Sequence, residues 1–152
     1  MLRKRILLSL LLFTVADASI AENLECTYEK RFKDSGSKGA DLKIKIDDKR
    51  ITQLSVSSSF ASGEEAGGYV CEIDTSEQNR TVQWKVDSKK TLLQITFDGA
   101  RPSNIEIEPT AKGYRVNLEG ASLDACGFGA AWPKSIEASR GSKKCQVIYD
   151  NY

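Results

Sequence analysis

Thr81-Val82-Gln83-Trp84-Lys85-Val86-Asp87-Ser88-Lys89-Lys90-Thr91-Leu92-Leu93-Gln94-Ile95-Thr96-Phe97 is the stretch that decides the fold class. Val82, Trp84 and Val86 alternate with Thr81, Gln83 and Lys85. Leu93, Ile95 and Phe97 alternate with Gln94 and Thr96. A period of two places one set of side chains on one face of a strand. The polar link Asp87–Lys90 joins the two runs, so the stretch reads as a β-hairpin with one apolar face and Trp84 in the core.

On either side of this hairpin the same alternation recurs. Leu24, Cys26 and Tyr28 mark a first strand, and Leu42, Ile44 and Ile46 a second. Asp47-Asp48-Lys49 turns the chain into Ile51–Phe60. There Ile51 is out of phase with Leu54, which predicts a bulge or a late strand start. Tyr69–Ile73, Ile105–Glu108, Tyr114–Leu118, Ser135–Ala138 and Lys144–Tyr149 complete the set. Lys33–Gly39 and Ser57–Gly68 read as loops because they are small, polar and glycine-bearing. Ala121–Ala131 is too rich in glycine for a stable helix, with room for one helical turn near Ser122–Ala125. About ten short strands with frequent turns indicate an all-β domain. An antiparallel meander closing into a small β-barrel is expected, with a two-sheet sandwich as the alternative.

The first residues read differently. Arg3, Lys4 and Arg5 precede an apolar run, Ile6–Val15, that is too short to span a bilayer. Small-residue cleavage patterns follow at Ala16-Asp17-Ala18 and Ser19-Ile20-Ala21. Residues 1–21 are therefore expected to be a secretory signal peptide, and residues 22–152 a single all-β domain. Leu24-Glu25 before Cys26 is not a lipid-anchoring context. The whole chain has a formal charge of +1. The signal holds three bases (Arg3, Lys4, Arg5) and one acid (Asp17), which leaves the remainder at −1. No basic surplus points to nucleic acid, and no membrane span is expected. A periplasmic or secreted location follows from the signal.

Cys26, Cys71, Cys126 and Cys145 all lie in the exported part, and an even count there implies disulfides. Three connectivities are open, of which Cys126–Cys145 with Cys26–Cys71 is favoured because the first pair closes a short loop. The chain has no histidine. This removes a Ser-His-Asp triad, a Cys-His pair and histidine-ligated zinc or haem. No phosphate or dinucleotide fingerprint is present, and no cofactor or metal is expected. Glu64, Glu65 and Asp124 remain as carboxylates for glycoside hydrolysis, but the spacing that chemistry needs cannot be read from sequence. The expected role is binding without catalysis.

Two segments are candidates for contact. Gly127-Phe128-Gly129, with Trp132, reads as a disulfide-held loop tucking aromatics into the core, or as a contact surface. Ser57–Gly68 is long for a link between regular strands, and such loops are often functional. Ser62, Gly63, Glu64, Glu65 and Tyr69 are the expected partner-binding residues. Here Ala61-Ser62-Gly63 followed by Tyr69 resembles the cleft-entering loop of bacterial periplasmic inhibitors of c-type lysozyme. Trp84-Lys85 and Thr91-Leu92 resemble the next hairpin of that family. Glu64–Gly68 are additional to the pattern, and Ile105–Tyr152 has no counterpart in it. The resemblance implies a small disulfide-bonded β-barrel that inhibits a lysozyme-like hydrolase. An immunity protein against a secreted toxin, or a β-barrel carrier of a small molecule or lipid, are the other readings.

Overall fold

Alternating runs that are apolar on one side need a second apolar face to cover them, and this chain supplies it by folding two sheets together. The computed structural model describes residues 21–33, 36–61, 68–77, 80–87, 89–97, 100–127 and 131–149. The expected signal peptide, apart from Ala21, lies outside them. The first sheet holds β1 (Glu22–Arg31), β2 (Ser37–Asp47), β3 (Arg50–Ala61) and β4 (Tyr69–Asp74), in that order. The second holds β5 (Arg80–Val86), β6 (Thr91–Phe97), β7 (Ser103–Pro109), β8 (Gly113–Asn117), β9 (Ser135–Ser139) and β10 (Gln146–Ile148), also in sequence order. All pairings within the two sheets are antiparallel. No helix among the described residues is long and apolar enough to cross a membrane.

The expected hairpin is β5 and β6, with Val82 opposite Ile95 and Trp84 opposite Leu93. Leu42, Ile44, Leu54, Val56 and Ile73 from the first sheet meet Leu93, Ile95, Ile105, Ile107, Val116 and Ile136 from the second in one core. All of these are essentially inaccessible to water. Burying each such side chain contributes about 1.5–3 kcal/mol before entropy is counted. Trp84 packs against this core but is only half-buried, because β5 lies at the sheet's edge.

Local chemistry explains the first sheet's register. Asp48 and Lys49 have φ of 47° and 62° and link Asp47 to its partner Arg50. Two positive φ values in a two-residue loop are the type I′ requirement, which matches strand twist. The expected bulge is present. Lys45 faces Gln53 and Ile46 faces Ile51, leaving Thr52 as the extra residue. Its hydroxyl donates to the Lys45 carbonyl at 3.3 Å. One inserted residue lets Ile51 and Leu54 both point inward.

Three expectations are corrected. β2 begins at Ser37 and β3 reaches Ala61, so parts of the two expected loops are strand. The small residues serve close packing there: a Cβ on Gly39 would stand 2.6 Å from the Ser59 hydroxyl. The buried Ser58 hydroxyl donates to the Ala131 carbonyl at 3.3 Å.

The sheets form the sandwich, not the closed barrel. Among the described residues β4 pairs in the sheets only with β3, and β5 only with β6. The contact between Thr27 of β1 and Lys144 is parallel. A ten-stranded up-and-down barrel would bring its first and last strands together antiparallel.

The disulfides are Cys26–Cys145 and Cys71–Cys126, not the favoured pairing. Strand order, not loop length, decides this. Cys26 lies on β1 and Cys71 on β4, the opposite edges of one sheet, so they cannot meet. Each is instead stapled to a connecting segment of the second sheet. The Cys145 N–H donates to the Thr27 carbonyl and the Gly127 N–H to the Val70 carbonyl, both at 2.9 Å. Each edge of the first sheet is therefore pinned at one place, which blunts unwanted pairing there.

Candidate partner-binding site

Along the first sheet the core-facing row changes character toward one end. Tyr28, Ala40, Ser58 and Cys71 stand side by side across the four strands. Two residues further on, the same face presents Lys30, Lys38, Phe60 and Tyr69. The alternation persists, but the aliphatic core gives way to rings and ammonium groups. Phe32, just beyond β1, and Tyr149, just beyond β10, join this row. The Lys38 ammonium lies 4.6 Å from the Tyr149 ring centre, 5.9 Å from Phe60 and 6.0 Å from Phe32. Lys30 lies 5.6 Å from Phe32. These are cation–π distances, and three rings around one ammonium hold the β1–β2 end, β3 and the chain after β10 together.

Tyr149 anchors that cluster. Its ring is tilted against Tyr28 at 6.1 Å, and its hydroxyl donates to the Gly39 carbonyl at 3.5 Å. Burial pushes the phenol above its ordinary 10.0. A raised value means that folding resists ionisation. The stability from this group is complete below pH 10.0 and is lost as pH rises through the folded-state value. An ultraviolet phenolate titration, with Tyr149→Phe as reference, should show one tyrosine ionising later than the unfolded chain's. A difference curve centred at the unfolded value would place Tyr149 in water.

The two segments singled out from sequence meet at this end. Cys71–Cys126 joins them covalently, Gly127 binds Val70 through its backbone, and Ala131 accepts from Ser58. Tyr69 is placed at the start of β4 with 38% of its surface exposed, and Val70 beside it with 46%. Phe32 is 38% exposed. Ser62, Gly63, Glu64 and Glu65, and also Phe128, lie outside the described residues. Trp132 takes the structural role. It packs on the core, and its indole N–H donates to the Ser122 carbonyl at 3.1 Å. Sequence reasoning missed Lys38, Phe60 and Phe32. The usable signal was Lys30-Arg31-Phe32-Lys33, a basic run around a ring at a hairpin tip.

Asp124 is also absorbed into structure. Ser122 caps the 3₁₀ turn Leu123–Ala125, and the Asp124 carboxylate accepts from the Arg101 backbone N–H and the Ser122 hydroxyl, each at 3.0 Å. These bonds, the Arg101 one first, hold its carboxyl below the usual range. Among the described residues no three acidic or thiol groups cluster as metal ligands. A second surface, the outer face of the first sheet, forms an open polar trough of about 570 Å³ between Glu25, Asp41, Ser57 and Glu72. Its Glu25 is engaged by Lys43 at 3.6 Å and Lys143 at 3.9 Å.

Compared with known proteins, the chain matches no protein-family model, no curated protein and no solved structure, so the likeness to lysozyme inhibitors rests on the residues quoted for it alone.

Proposed function

We propose that this protein is an exported protein-binding module that docks through the aromatic and cationic end of its first sheet. Within that class the sharpest reading is a periplasmic inhibitor of a cell-wall-degrading enzyme such as a c-type lysozyme. One observation carries the proposal: two separate candidate segments converge beside Tyr69 and Val70, where apolar surface is left open. Exposed rings and aliphatic groups next to long loops suit a protein partner. The filled aliphatic core between the sheets supports this over a carrier of small molecules. The two disulfides support export to an oxidising compartment.

The test is titration of a c-type lysozyme with the oxidised protein while cell-wall hydrolysis is followed. Inhibition near equal molarity is expected. Tyr69→Asp, on the same face as Lys38 and Phe60 and 38% exposed, should weaken it at least tenfold, or about 1.4 kcal/mol, while the melting curve shows the protein still folded. A folded protein that leaves the lysozyme rate untouched would reject the lysozyme reading. Capture of a secreted toxin in its place would favour the immunity role at the same surface.

A further inference from the structure

β5 is a seven-residue strand edge with no second partner strand among the described residues. Both edges of the first sheet are bridged by connecting segments, and the far edge of the second sheet is the short strand β10. β5 spans Arg80–Val86 without proline, runs in unbroken register with β6, and has no other strand partner among the described residues. Its inward row is incompletely covered. Val82 and Trp84 are half-buried and Val86 is 65% exposed, while Leu93 and Ile95 opposite them are fully buried. A bulge-free, partly apolar edge of this length is a template for another strand.

We propose that β5 pairs antiparallel with β5 of a second copy, joining two six-stranded sheets across a two-fold axis at Gln83. The strand's own sequence is complementary to itself in that register. Gln83 faces Gln83 of the other copy, Val82 faces Trp84, and Thr81 faces Lys85. No like charges are opposed among these pairs. The apolar residues Val82 and Trp84 share one face with their counterparts, and the polar ones share the other. A ring beside a β-branched residue is a favourable cross-strand pair, and a two-fold contact of this kind closes on itself. No residue of β5 belongs to the Tyr69 end, so the dimer stands or falls independently of the proposed partner.

Sedimentation velocity of the oxidised protein tests it. The mass should double as concentration rises through the micromolar range. Gln83→Lys, on the exposed outer face, sets two ammonium groups directly opposite each other and should weaken the dimer at least tenfold with an unchanged melting curve. Gln83→Thr, a neutral strand former, should leave the dimer in place. A protein that stays monomeric throughout, or a dimer indifferent to Gln83→Lys, would overturn the proposal.

Discussion

Replacing Cys26 and Cys145 together by alanine should cost about 5 kcal/mol, the larger of the two disulfide losses. The bond joins residues 119 apart, and by chain entropy the constraint on the unfolded chain grows with loop length. The same substitution at Cys71 and Cys126, 55 apart, should cost about 4 kcal/mol. Either is a large share of the about 5–15 kcal/mol that holds a domain folded. Urea unfolding gives the size, and thiol titration gives the pairing. The Cys26→Ala/Cys145→Ala protein should unfold without any free thiol, because Cys71–Cys126 survives. Two free thiols would mean that Cys71 and Cys126 are not each other's partners.

The second large effect lies in the hairpin. Leu93→Ala should destabilise by about 2–5 kcal/mol, since Leu93 is fully buried between the sheets. Trp84→Ala, at the directly opposed position, should cost less, about 1–3 kcal/mol, although tryptophan is the larger side chain. Its side chain is only half-buried, so truncation leaves less of a cavity. Urea midpoints for the two variants decide the order. A costlier Trp84→Ala would put the ring at the centre of the core.

The alternation in Thr81–Phe97 was sufficient to find the hairpin, its apolar face and the all-β class, because strand side chains alternate whatever the tertiary context. The out-of-phase Ile51 likewise announced the bulge at Thr52. What sequence did not disclose were relations between strands. Whether the meander closes depends on twist and sheet crossing, which no single strand records. Cys71 pairs with Cys126 because β4 is an edge, a fact of strand order. Serine and glycine at Ser37–Gly39 and Ser57–Ala61 looked like loop material, yet their small side chains let β2 and β3 run on together. The candidate site was half legible. Tyr69 was named from its loop, whereas Lys38, Phe60 and Tyr149 come from separate strands and segments, and only the register sets them side by side.

The Tyr69 end of the first sheet is the proposed docking surface. Hydrogen exchange of the oxidised protein, alone and saturated with a c-type lysozyme, checks this. Slowed exchange is expected at Tyr69–Cys71 and at the Lys30–Lys33 tip, with the outer face of β7 and β8 unchanged. Protection at β7 and β8, with Tyr69–Cys71 exchanging as in the free protein, would contradict it.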